Sequence, residues 1–261
     1  MGSTADEVLT EDGHEVTVLV TGFGPFRTQN PINPSWEIAR LLPPFLPPLP
    51  ATSLSSQLSL LTPPPVRILV HPEPIRVSYT TVRNIVPELW KDRKIDYMIH
   101  IGMASGRKFY SIERRGHRDG YYMKDVDNQF LNDEALHKKM GKDWVWEGMP
   151  SELLSTIDVD DVWKRWRVNL TGEDKEERDV RVSEDAGRYL CDFIYFSSLA
   201  ELEKKGEDKR VLFLHVPVEA DEVSVKKGVE ITTELIRAVV VSGMMKEVKK
   251  VAAEMQADEL R

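Results

Sequence analysis

The sequence is poor in the residues that build disulfide scaffolds, membrane spans and nucleic-acid surfaces. Cysteine occurs once in 261 residues, which excludes an intramolecular disulfide and a cysteine-based zinc site and fits a reducing compartment. No apolar run approaches the length of a transmembrane helix. The opening stretch, MGSTADEVLTEDGHE, is acidic and lacks the apolar centre of a secretory signal. Lysine and arginine number 35 against 43 aspartates and glutamates, a formal charge of −8. With no basic patch interleaved with aromatics, neither nucleic acid nor an anionic membrane is expected as a partner. Internal repeats are absent. What remains is a single cytoplasmic globular domain, 41% apolar and 30% charged, long enough for one sizeable α/β core.

The chain alternates apolar strands with amphipathic helices. Residues 1–15 read as a disordered tail. Residues 16–20 (VTVLV) form a buried strand that leaves through the turn TGFGPF. Strand followed by Gly-x-Gly invites a dinucleotide site, but the third glycine is missing and Pro25 removes a backbone donor. Phe23 and Phe26 in that turn suit a flat, uncharged ligand, or else plug the sheet edge. Asn33-Pro34-Ser35 opens a helix over WEIARLL. Residues 43–65 are too proline-rich for a helix or central strand and read as an exposed insertion. Strands follow at 66–70 and 95–102. A helix over 79–90 lies between them, with Pro87 expected to kink or divide it. A short strand fits FYSIERR. Residues 118–158 show no clear period. A helix is expected over 159–168, a strand over 180–182, a helix from Asp185 onward, a strand over 211–217 and a last packed helix over 226–241. Residues 246–261 read as a charged extension. This order predicts a three-layer α/β/α sandwich around a mostly parallel mixed sheet.

The lone cysteine stands in the most regular of these helices, with Ser183 as the expected N-cap. A thiol early in a helix sits in positive potential, which favours thiolate. Alone, however, Cys191 reads more readily as a buried apolar filler than as a reactive thiol. His215 closes an apolar strand, where a general base and a satisfied core histidine are both ordinary outcomes. Glu113, taken alone, reads as a solvated partner of Arg114 or Arg115. A cysteine hydrolase needs such a set: a thiolate to attack a carbonyl, a histidine to move the proton, and a carboxylate to hold the imidazole in its tautomer.

Five segments in order resemble one family. VTVLVTGFGPF followed by NPSWEIA, then IHIGMASGRKFYSIERRGH, SEDAGRYLCDFIYFSSL and LFLHVP are similar to the type I pyroglutamyl peptidases, cysteine peptidases of α/β fold. The resemblance runs over about 16–40 and 66–240. It implies Cys191 as nucleophile, His215 as general base and acid, and Glu113 as its orienting partner. It further implies that Phe23, Phe26 and Tyr189 wall the pocket for a pyroglutamyl ring, with Met103 and Lys124 also at the substrate. Many members carry a glutamine at Met103, a Gly-Gly where Ser105-Gly106 stand, and an asparagine near His117-Arg118. Lys124 matches the basic residue of the oxyanion site. The implied reaction removes an N-terminal pyroglutamyl residue from peptides through a thioester and needs no metal or organic cofactor. The alternatives are a non-catalytic member that captures blocked N-termini and an amidase for another small lactam or acyl group.

Overall fold

The computed structural model describes residues 15–26, 31–48, 64–91, 94–170 and 178–259. Six strands form the main sheet in the order β2-β1-β3-β8-β4-β7. β1 (Val16–Gly22), β2 (Val66–Val70), β3 (Tyr97–Met103) and β8 (Val211–Val216) run parallel, while β4 (Tyr110–Glu113) is antiparallel to β8 and carries β7 (Val180–Ser183) parallel to itself. The inner strands are buried on both faces, as the continuous apolar runs of a parallel sheet require.

Period-two alternation sorts the strand side chains onto two cores. Val18, Val20, Ile99, Ile101, Leu212 and Leu214 face one layer, built with α4 (Val159–Leu170) and α6 (Glu222–Glu259). Leu19, Met98 and Phe213 face the other, with α2 (Tyr79–Leu89) and α5 (Leu190–Lys205). α1 (Pro34–Ala39) joins the first layer beside α6, with Asn33 as N-cap accepting from the Ser35 N–H. The sheet is therefore sandwiched, as expected.

Several boundaries differ from the sequence reading. α5 starts at Leu190, not Asp185, and its N-cap is Tyr189 with no side-chain cap bond. Ser183 closes β7 instead, its hydroxyl paired with the backbone of Asp185. Gly187 at φ +86°, with its N–H on Asp185 Oδ1, forms a turn that helical backbone cannot pass through. Pro87 sits one turn from the end of α2 and does not divide it. Residues 118–158, where no period was visible, hold α3 (Asp133–Met140), a 3₁₀ turn at Gly141–Asp143 and β6 (Glu152–Leu154). β6 pairs with β5 (Arg115–His117) as a two-stranded sheet. α6 continues unbroken from the packed segment through most of the charged extension. The beginning of the proline-rich segment lies along the sheet edge, Leu46 and Ile68 donating to Val66 and Pro44 across a Phe45–Arg67 bridge. Residues 49–63 of that insertion, and the tail before residue 15, lie outside the described residues. Among the described residues no helix is long and apolar enough to cross a membrane.

Candidate active site

The candidates gather where β1, β3 and β8 end, the edge at which open α/β sheets place their ligands. Gly102 of β3 pairs with His215 of β8, so both point to the α5 face. A Cβ built on Gly102 would stand 2.8 Å from Cys191 Sγ and 2.5 Å from Phe213 Cζ. The missing side chain is thus the space the sulfur occupies. The Phe213 ring, two residues before His215 on the same face, lies 4.7 Å from the imidazole. Sulfur and imidazole therefore share one face of neighbouring strands.

The imidazole is held from behind. His215 Nδ1 is 2.7 Å from Glu113 Oε1, which assigns the Nδ1 proton to that bond and leaves Nε2 as the basic nitrogen. Glu113 is fully buried and His215 nearly so. Arg107 Nη1 donates to the same Oε1 at 2.7 Å and to Ser111 Oγ at 2.7 Å, while its Nη2 reaches the Asp185 carbonyl at 3.0 Å. Burial works to raise the Glu113 carboxyl, but the bonds from His215 and Arg107 outweigh it and hold the pKa below the usual value. The solvated pairing with Arg114 or Arg115 does not occur. Arg114 holds Asp160 and Glu184, and Arg115 holds Glu152 and Glu184.

Cys191 is half-buried, and here the thiolate expectation is corrected. Burial, with the nearby Glu113 and Asp192 carboxylates, pushes the thiol up to about 12. Desolvation and the Glu113 anion exceed the pull of the helix terminus. In the resting protein the sulfur carries its proton. The residue lies second in α5, closer to the terminus than the sequence reading placed it. The first-turn N–H groups of a helix have no intrahelical partner. Tyr189 offers them no side-chain cap, so a carbonyl oxygen placed beside the sulfur would have main-chain donors close by.

The aromatic wall is shared among distant segments. Phe26 and Tyr189 are 6.4 Å apart and Tyr79 stands edge-on to Tyr189 at 6.2 Å. Phe23 is buried in the α2/α5 core, and the Ser35 hydroxyl pins its N–H at 3.0 Å. Asn33 fixes the turn from the other side, donating to the Gly24 carbonyl at 2.8 Å. Met103 is buried at the end of β3. Alternation from Gly102 turns its side chain to the face away from the sulfur, so only its main chain borders the site. Lys124 is brought in by its carbonyl, which accepts from Tyr189 Oη at 3.1 Å. Its ammonium lies over the Phe130 ring, 5.2 Å from the centroid. A cavity of about 520 Å³ lies at the opposite end of the strands, among Val16, Tyr97 and Met244, and touches none of these residues.

Arg107, Gly102 and Tyr79 complete the site without having been singled out in the sequence. Arg107 follows the Ser105-Gly106 turn and Glu113 ends β4, six residues apart, a spacing that carries no periodic signal. The signal for Gly102 was a glycine ending an apolar strand, which marks close approach without saying what approaches.

Comparison with known proteins supplies the family. Residues 66–254 match the family model described as pyroglutamyl peptidase. Human pyroglutamyl-peptidase 1 is 33% identical over 77% of this chain and 78% of its own length. The pyrrolidone-carboxylate peptidase of Thermococcus kodakarensis is 27% identical over 84% of this chain and 95% of its own. In fold, the chain superposes on pyrrolidone carboxyl peptidase from Thermococcus litoralis with a TM-score of 0.65, at 18% identity, over 88% of this chain and 96% of that one. With both the family model and a relative of this identity spanning most of its length, the chain belongs to the pyroglutamyl peptidase family.

Proposed function

We propose that the protein is a cysteine peptidase that removes N-terminal pyroglutamyl residues from peptides, with Cys191 as nucleophile, His215 as general base and acid, and Glu113 as the group orienting His215. The observation that carries this reading is the 2.7 Å His215–Glu113 bond on the strand beside Gly102, over which the sulfur lies.

The chemistry follows from the charges. Because the thiol is held protonated, His215 Nε2 takes its proton as sulfur attacks, and the buried Glu113 offsets the imidazolium that forms. The tetrahedral oxyanion meets main-chain N–H groups of the first α5 turn. Histidine returns the proton to the leaving amine, and water then hydrolyses the thioester. The substrate's nitrogen is closed into a lactam, so no ammonium has to be recognised. A slot of Phe26, Tyr189 and Tyr79 rings with main-chain donors and acceptors suits such a neutral ring, and buried polar pairing supplies selectivity against rings lacking the amide. The family relatives named for this activity support the same substrate class. A non-catalytic binder is not favoured. A binder has no use for a buried glutamate–histidine pair braced by a half-buried arginine, which is costly to desolvate.

A fluorogenic pyroglutamyl amide tests the reading. Wild-type protein should turn it over, one equivalent of iodoacetamide on the single cysteine should stop it, and Cys191→Ala should lower kcat by about 10⁴ or more. Turnover that survives in Cys191→Ala overturns the assignment.

A further inference from the structure

The first residues of α5 face different ways. Leu190 enters the core, Cys191 lies over Gly102, and Asp192 turns to β5. An acidic side chain in the first turn ordinarily bends back to its own helix's free N–H groups. Asp192, fully buried, instead accepts from the His117 main-chain N–H at 3.1 Å and from Tyr121 Oη at 3.2 Å. Its two oxygens stand 3.3 and 3.2 Å from His117 Nδ1. The single Tyr121 hydroxyl proton is shared between Asp192 and the His117 carbonyl, which closes the ring of bonds. Arg188 Nη1 lies 3.6 Å from the carboxylate and is itself held by Asp185 at 2.7 Å. On the far side, Glu152 Oε1 is 3.7 Å from His117 Nε2.

The strand gripped in this way is the continuation of the one that carries Glu113, since only Arg114 separates β4 from β5. Gly116 of β5 lies against the α5 backbone, where a Cβ would come 2.9 Å from the Phe196 nitrogen. Tyr195 Oη adds a second bolt, donating to the Glu113 carbonyl at 2.9 Å. The helix of the nucleophile and the strand of the orienting carboxylate are thereby fastened together.

We propose that Asp192 is a positioning residue for Cys191. Its bonds to His117 and Tyr121 fix the first turn of α5 on β5, hold the neighbouring sulfur over Gly102, and keep the carboxylate off the helix N–H groups that face the substrate. This rests on Cys191 being the nucleophile. Burial pushes the Asp192 carboxyl up to about 8, and burial with Arg188 lowers the His117 pKa. A neutral amide at 192 is therefore a close substitute for the group present at neutral pH.

Two variants test the proposal: Asp192→Leu, which keeps the branched outline in a somewhat larger side chain and removes the bonds, and Asp192→Asn, which keeps acceptor and donor atoms. With the fluorogenic pyroglutamyl amide, Asp192→Leu should lose about 100-fold in kcat with KM within about threefold, the pattern of a displaced reacting atom. Asp192→Asn should recover to within about fivefold of wild type. A folded Asp192→Leu protein with kcat within about twofold of wild type overturns the proposal, as does an Asn variant as slow as the Leu one. If Asp192→Leu does not fold, Tyr121→Phe removes one bond and keeps the ring; kcat should fall about fivefold at unchanged KM, and wild-type kcat overturns the proposal. The alkylation rate of the single cysteine by iodoacetamide, followed by mass, reads the same geometry without turnover. It should change several-fold in Asp192→Leu and little in Asp192→Asn. A wild-type protein that is alkylated but inactive would tell against the peptidase reading alone, while unaltered alkylation in Asp192→Leu would tell against Asp192.

Discussion

Glu113 carries more of the site than any other side chain, and one of its oxygens carries nearly all of that. Oε1 meets His215 and Arg107 at 2.7 Å each, whereas Oε2 is buried without a partner. A buried anion in this position is kept ionised by Arg107 and in turn stabilises the imidazolium. Glu113→Gln should keep the shape and lose the charge, so kcat should fall at least about 100-fold with an unchanged fold. Full activity in that variant would dissolve the assignment of Glu113. Arg107→Met should act in a graded way. Without the guanidinium the Glu113 carboxyl loses one of the bonds that lower its pKa, so it binds a proton at higher pH. The acid limb of kcat/KM should therefore move upward in pH, and a profile superimposable on wild type would refute the role. The order of motifs singles out Cys191, His215 and Glu113 as candidates, and the fold gathers them at one edge of the sheet. The sequence was silent on Arg107, since four arginines or lysines within nine residues (Arg107, Lys108, Arg114, Arg115) look alike until the fold separates them.

At the scale of elements, the legible parts were those with a strong local period. β1, β2, β3 and β8 are apolar runs bounded by polar or proline residues, and α2 and α4 are amphipathic. The start of α5 was misread because its acidic approach, SEDAG, imitates a helix entry. The chain spends those residues on an Asp185–Gly187 turn and an extended Tyr189, which delivers the sulfur to the first turn. Residues 118–158 were opaque for a different reason. Their order comes from long-range ring packing, Trp146 against Phe193 and Phe196 at 5.3 and 4.8 Å and His137 stacked on Trp144 at 4.4 Å, each pair worth about 0.5–1.5 kcal/mol. None of that is periodic. The junction of β3 and α5 is the sharpest test at this scale. Gly102→Ala would drive a methyl into the Phe213 ring tip and the Cys191 sulfur at distances that real Cβ atoms do not tolerate. Stability should fall by about 1–3 kcal/mol. The alkylation rate of Cys191 and kcat should both drop at least about tenfold. An alanine variant with wild-type kcat would show that the sulfur does not lie over that glycine.

For the whole molecule, the two faces of the sheet are unequal. The α4/α6 face is almost wholly apolar, whereas the α2/α5 face buries ionisable groups among its rings. His100 is sealed between Thr21 Oγ1 and Ser198 Oγ, both at 2.7 Å, and burial drops its pKa to about 3. Asp192 is shifted the opposite way by burial, to about 8. Linkage turns these shifts into a stability curve. The unfolded chain protonates His100 near 6.5, so between 6.5 and 3 it binds more protons there than the folded chain, and stability falls with acid. The unfolded chain releases the Asp192 proton near 3.9 and the folded chain near 8, so across that interval the folded state binds more, and stability falls as pH rises. The two slopes oppose each other between about 4 and 6.5. Between 6.5 and 8 only the Asp192 contribution remains, amounting to at most about 2 kcal/mol. Urea unfolding should therefore show the wild-type protein less stable at pH 8 than at pH 6.5, with an unchanged slope on denaturant. Asp192→Asn, which has no proton to lose, should flatten that decline. A wild-type curve level from 6.5 to 8, or an equal decline in the Asn variant, would mean that the buried carboxyl is not protonated in the folded chain. The alkaline decline would be the stability given up for a carboxyl sealed beside Cys191.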